Sequence, residues 1–224
     1  INIGSFLASW LKENPAALHQ MGGKSRVRVA IKRLLGMEAA RVPIRDIVSA
    51  LCDLYSEPLV LVFPPNGDLI NWANGQANGA APQQLDEIDV DSASVYLADF
   101  LRTFSGLDVS AVLVQLPDGQ DVTPQLLELY SPILNVCKHY RWAVGMQVVQ
   151  PREVNDPEHT LDFLIGDHRA ASSVVLGDDF WSGGSIPPVE AGFYFSRVKP
   201  DLNPEKVLER LTLLRNGFDE GDCK

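Results

Sequence analysis

The feature that most constrains the fold is the alternation of short, wholly apolar runs with longer amphipathic segments. A strand buried on both faces of a sheet has such a continuous apolar run, and helices between such strands imply parallel pairing through right-handed crossovers. The pattern therefore predicts an α/β fold of parallel strands with crossover helices, either a barrel or an open sheet. The predicted strands are residues 59–63, 111–116, 142–149, 173–176 and 192–198, and the predicted intervening helices are residues 92–104, 123–140, 157–165 and 204–214.

In the residues before the first predicted strand, the apolar side chains recur with the spacing of an α-helix. Phe6, Leu7, Trp10 and Leu11 share one helical face, and a further helix is predicted from about residue 43 to 55. We therefore expect residues 1–58 to form a helical N-terminal segment packed on the same domain as the barrel-like residues 59–224. Residues 67–91, rich in Asn, Gly, Ala and Gln, are predicted to be a long irregular segment.

Composition excludes several partners. The chain has 19 Lys and Arg against 29 Asp and Glu, a formal charge of -10, and so acidic a surface repels phosphate backbones, which argues against nucleic-acid binding. No apolar run approaches the roughly 18 to 20 residues that span a bilayer, so we expect a cytoplasmic protein with no membrane partner. The three cysteines have no C-x-x-C or His-rich spacing, and neither a metal nor a cofactor is predicted.

Ligands in parallel α/β folds bind at the carboxyl ends of the strands, where loops and helix starts converge. The polar and aromatic residues after the predicted strands suit a small, anionic or aromatic molecule. Asp178 and Asp179 are adjacent acids after a predicted buried strand, and we expect their mutual repulsion to make one of them available as a proton donor. The candidates are Asn66, Trp72, Asp118, Gln147, Asp178, Asp179, Arg197 and Lys199.

Two further predictions concern local geometry. Arg197 and Lys199 alternate along a predicted strand end and so place two positive charges together, where either a bound anion or a surface ion pair with Asp178, Asp179 or Asp201 would balance them. The predicted helix of residues 123–140 contains Pro132, which removes a backbone hydrogen bond and clashes with the preceding turn. We therefore expect that helix to bend near Pro132.

The order of these segments resembles the later part of the uroporphyrinogen decarboxylase family, whose fold is a (β/α)8 barrel, over residues 43–214. The similar pieces are Glu57-Pro58-Leu59-Val60, Leu116-Pro117-Asp118-Gly119, and Thr123-Pro124 followed by Tyr130-Ser131-Pro132. The chain differs from the family in three respects. It has no arginine-containing loop or early aspartate in residues 1–58, it carries Trp72 where the family has tyrosine, and it has no closing glycine-histidine segment.

The resemblance implies a domain that binds a small anionic or cyclic ligand, with lyase or methyl-transfer activity. Arg197 and Lys199 would then hold carboxylates, Asp118 with Asp178 or Asp179 would handle protons, and Trp72 would stack on the ligand. The alternative is a degenerate, noncatalytic relative that acts as a ligand-binding or protein-interaction module. A third hypothesis follows from five predicted strands instead of eight: another segment or subunit, such as a second copy in a homo-oligomer, completes the barrel.

Overall fold

The computed structural model describes residues 1–23, 26–166, 171–187, 192–199 and 201–219. The chain divides into two compact units, Ile1–Phe163 and Leu164–Lys224. The division into domains at residue 58 stays a prediction.

The first unit begins with four helices, as the apolar spacing predicts. Each buries one apolar stripe, for example Ile44 and Val48 of the fourth helix, which starts five residues earlier than predicted and contains Pro43. The helices are α1 (Ile3–Glu13), α2 (Ala16–Met21), α3 (Val29–Gly36) and α4 (Glu38–Leu54).

A parallel sheet of four strands follows, with the strands in the order β1-β2-β3-β4. Val60 lies opposite Ala111, and Ala111 lies opposite Ala143, so the first three strands start level and end level. The prediction that these three apolar runs are neighbouring parallel strands is confirmed. The strands are β1 (Val60–Phe63), β2 (Ala111–Gln115), β3 (Ala143–Gln147) and β4 (Phe163–Ile165).

Helices α5 (Asn66–Asn78) and α6 (Glu87–Leu101) connect β1 to β2. The prediction that residues 67–91 are irregular is therefore wrong for most of the segment. Leu69, Ile70 and Ala73 lie on one face of α5 and are buried, and this burial overrides the weak helix propensity of the Asn and Gly residues around them.

The connection from β2 to β3 contains α7 (Pro124–Leu129) and α8 (Ser131–Tyr140). The chain leaves helical geometry at Tyr130, whose φ is -96° and ψ is 0°. The helix was predicted to bend near Pro132. It is indeed not continuous there, but it is broken at Tyr130 into two helices instead of bent. Pro132 lies in the first turn of α8, where backbone N–H groups have no partner within the helix, so the lack of an N–H at proline costs no hydrogen bond.

The prediction of a helix over residues 157–165 is wrong. Residues 148–162 form a loop, in which His159 has the left-handed φ of 50° that stops a helix, and β4 follows directly. The apolar residues Leu164 and Ile165 are buried in strand conformation. On the adjacent β3, a Cβ at Gly145 would overlap the ring of Phe163, so this close approach requires glycine.

The second unit contains its own two-stranded parallel sheet, in which Ser173 lies opposite Phe193. The fourth and fifth predicted strands are thus parallel and paired with each other. Among the described residues they form a sheet separate from the four-stranded one, so the prediction that all five runs are neighbouring strands is wrong for these two. Leu176, Phe180 and Trp181 form the unit's core. Its elements are β5 (Ser173–Leu176), α9 (Asp178–Ser182), β6 (Phe193–Ser196) and α10 (Pro204–Asp219).

Candidate functional site

Asn66 lies at the carboxyl end of β1, in the first turn of α5, and its side chain is fully buried. Its amide Nδ2 donates to the Ser94 hydroxyl at 2.8 Å and to the Val90 carbonyl at 3.3 Å, both on α6. Its Oδ1 is buried without a hydrogen-bond partner among the described residues. Asn66 therefore ties two helix starts together and keeps one acceptor unused, which is uncommon because an unpaired buried oxygen costs about 1 to 3 kcal/mol.

Tyr130, at the break between α7 and α8, is brought to the same edge. Burial raises the pKa of its hydroxyl to about 12, a hydrogen bond from the Asn66 backbone opposes that rise in part, and the charge of Asp68 adds to it. The hydroxyl therefore stays protonated at neutral pH. Tyr130 was not among the predicted site residues, although its place two residues before Pro132 signals a helix break in the sequence.

The ends of β2 and β3 carry paired amides. Gln115 Nε2 donates to Gln147 Oε1 at 2.8 Å, because the parallel register sets these two residues opposite each other. Gln147 was a predicted site residue and Gln115 was not. The signal for Gln115 was present in the sequence, since each of the two apolar runs contains a glutamine near its carboxyl end.

Asp118 occupies an exposed turn after β2 and makes no hydrogen bond or ion pair within the described part of the chain. Asp121, three residues later, instead accepts from the backbone N–H groups of Arg152 at 2.7 Å and Glu153 at 3.0 Å. The bonds from Glu153 and then Arg152 lower the pKa of Asp121. Asp121 therefore holds the loop after β3 and stays ionised.

A cleft of about 330 Å³ opens at this edge, between the starts of α5, α6 and α7. Tyr130, Gln120 and Thr123 line it, together with Pro65 and Gly67, the residues that flank Asn66. Asp86 and Glu87 line it too, and its described lining includes no lysine or arginine. Trp72 lies further along α5, half-buried and outside this lining.

The other four predicted site residues belong to the second unit. Asp178 and Asp179 form the exposed first turn of α9, and β6 ends at Ser196, so Arg197 and Lys199 follow the strand instead of alternating along it. Lys199 Nζ lies 2.5 Å from Asp178 Oδ2, with both side chains at least half exposed. That hydrogen bond, together with the charge of Asp178, raises the pKa of Lys199.

This contact is a surface ion pair, one of the two ways in which the positive charges were expected to be balanced. Arg197 is exposed and has no ion-pair partner in the part of the chain that the structure describes. The structure thus brings Asn66, Gln147 and the unpredicted Gln115 and Tyr130 to the strand ends of the first unit. In the second unit it joins Asp178 to Lys199.

Within the described residues, no three His, Cys, Asp or Glu side chains are grouped as a metal would require, and no helix has the length and apolar character to cross a bilayer. Comparison of the chain with models of protein families, with curated proteins and with solved structures finds no match.

Proposed function

We propose that this chain is a noncatalytic, uroporphyrinogen decarboxylase-like domain of (β/α) barrel-like architecture that binds a small cyclic ligand at the carboxyl ends of its strands. The observation that carries this proposal is the cleft beside Asn66, which is lined by Tyr130, Gln120 and Thr123. A few convergent polar groups in a largely apolar recess are typical of small-molecule sites. Completion of the barrel by another segment or subunit is part of the proposal.

The acids of the first unit favour binding over chemistry. A general acid that works near neutral pH needs a raised carboxyl pKa. In contrast, the pKa of Asp121 is lowered by backbone hydrogen bonds, and Asp118 is exposed in a turn. Trp72 also lacks the phenolic hydroxyl of the tyrosine that the uroporphyrinogen decarboxylase family has at the similar position. The lyase or methyl-transfer alternative would instead need Asp118, Asp178 or Asp179 to exchange protons with a substrate.

Cleft size and charge narrow the class of ligand. A volume of about 330 Å³ is close to the lower end of the roughly 300 to 1,000 Å³ found for ligand pockets, which favours one or two rings over a macrocycle. Asp86 and Glu87 would repel a carboxylate in the cleft. We therefore propose a neutral polar ring for this cleft, while an anionic ligand would depend on Arg197 and Lys199, the second of which is already paired.

The test is an NMR titration of the full chain with pyrrole-2-carboxamide and, separately, pyrrole-2-carboxylate. We expect the neutral ring to shift the amide signals of Gln120 and Thr123, and Tyr130→Phe to weaken its binding about 2- to 10-fold, the range for one lost hydrogen bond. Tyr55→Phe, which alters an exposed tyrosine outside the cleft, is the matched control and should bind normally.

Three outcomes would contradict the proposal. The first is the absence of cleft shifts with either ring at millimolar concentration. The second is binding of the carboxylate alone that Arg197→Ala abolishes, which would favour the anionic ligand. The third is release of carbon dioxide from the carboxylate, which would favour the lyase.

A further inference from the structure

A second recess lies near the opposite edge of the sheet, where β3 begins. It is a groove of about 660 Å³ between α8 and the loop before β4, and Trp142, Ala143 and Val144 form part of its lining. The groove exists because residues 148–162 cross from β3 to β4 without a helix that would cover this part of β3. We call it the α8 groove. It is separate from the cleft and independent of the function proposed there.

Two cations of α8 line the α8 groove without ion-pair partners. Lys138 in the last turn of α8 and Arg141, the residue that ends the helix, both line the groove, and His159 lines it from the loop. Glu158 and Asp162 also line it, yet within the described residues neither cation comes within ion-pair distance of a carboxylate. Asp162 Oδ2 instead accepts from the Val144 backbone N–H at 2.8 Å.

The backbone gives an independent reason to assign a role to these side chains. Arg141 and His159 have left-handed φ angles of 59° and 50°, a conformation that favours glycine. Among the described residues, three non-glycine residues have such angles, and these are two of them. A glycine at position 141 would end α8 with less strain. The negative end of the helix dipole is already complemented by Lys138 in the last turn. Arg141 thus occupies a position where glycine would be less strained.

We propose that the α8 groove binds the phosphate monoester of a polyhydroxylated small molecule. The Arg141 guanidinium donates two parallel hydrogen bonds to phosphate oxygens, and Lys138 and His159 supply further positive charge or N–H donors. The carboxylates of Glu158 and Asp162 and the polar groups of Asn135 and Thr160 accept from, or donate to, the ligand's hydroxyl groups. This division explains why acids and unpaired cations share one groove.

The test measures binding to the full chain by calorimetry with glucose 6-phosphate, inorganic phosphate and glucose. We expect glucose 6-phosphate to bind more tightly than inorganic phosphate, and glucose not to bind measurably. Arg141→Gly should weaken glucose 6-phosphate binding at least 10-fold while leaving Tm unchanged or higher. Lys138→Ala should also weaken it, whereas Lys12→Ala, which removes an equally exposed lysine from the last turn of α1, should not.

The proposal is overturned if glucose 6-phosphate does not bind, or if Arg141→Gly binds it as the unaltered chain does. It is also overturned if Lys12→Ala weakens binding as much as Lys138→Ala, because that result would mean a general effect of surface charge. A lower Tm for Arg141→Gly with unchanged affinity would show that Arg141 only completes the helix end.

Discussion

The connection from β2 to β3 and the connection from β3 to β4 join parallel strands in different ways. The first runs through α7 and α8, which bury Leu127, Ile133 and Val136. The second is a loop with no helix, held by carboxylates that accept backbone N–H groups: Asp121 from the neighbouring loop and Asp156 within it. Parallel pairing thus requires a long crossover but not a helical one, and the two kinds of crossover should respond differently to mutation and to pH.

The largest expected effect is on the helical connection. Ile133 is buried within α8, so Ile133→Ala removes apolar contacts and leaves a cavity. We expect the free energy of unfolding to fall by about 2 to 5 kcal/mol, measured by urea denaturation. Val95→Ala, at an exposed position on α6, should change it by less than about 0.5 kcal/mol. If Ile133→Ala had no larger effect than Val95→Ala, α8 would not be the packed connection described above.

A smaller and more local effect is expected in the loop. Asp156 accepts from the Thr160 N–H at 2.9 Å, the Thr160 hydroxyl at 2.7 Å and the Leu161 N–H at 2.9 Å. Asp156→Ala should therefore destabilise by about 1 kcal/mol and increase hydrogen exchange at the amides of Thr160 and Leu161. Glu158→Ala removes a nearby exposed charge and should leave this exchange unchanged. A uniform rise in exchange over α8 would show that the two connections are not independent.

The smallest effect is a response to acid. Burial acts to raise the pKa of Asp156, but hydrogen bonds from Thr160 and Leu161 more than offset it, so the pKa is lowered, as is that of Asp121. A lowered folded-state pKa means that each carboxylate stabilises the folded chain above its unfolded pKa of about 4, and that this stabilisation is lost as pH falls through the folded value. Below about pH 4, the protection of the Glu153 and Thr160 amides, relative to their intrinsic exchange rates at each pH, should therefore fall before the protection of α8 does. Asp121→Asn should abolish the change at Glu153.

Sequence patterns predicted the part of the fold that apolar burial determines. The runs that became β1, β2 and β3 were identified within one or two residues, because few other structures bury so many consecutive apolar residues. The same logic failed at residues 157–165. Asp156-Pro157 resembles the start of a helix in sequence. In the structure, His159 has a left-handed φ that prevents a helix, and the following residues form a strand because they can pair with β3. Both are consequences of tertiary packing.

The candidate site was predicted less completely than the fold. Asn66 and Gln147 were placed at strand ends from the sequence, but Gln115 and Tyr130 required the strand register and the break between α7 and α8. Lys199 pairs with Asp178, which is 21 positions earlier in the sequence. The sequence offered Asp178, Asp179 and Asp201 as partners for the cations, and it could not show which of them would form the ion pair. Side-chain pairing across loops depends on distances that periodicity does not encode.

The contact between Gly145 and Phe163 has a consequence for how this chain can evolve. Because the ring occupies the space that any side chain at position 145 would need, neither position can change freely while the other stays as it is. A larger residue at position 145 becomes acceptable only after the aromatic ring at position 163 has been replaced by a smaller side chain. Among homologous chains the two positions should therefore covary, with glycine beside the aromatic residue and alanine or serine beside an aliphatic one.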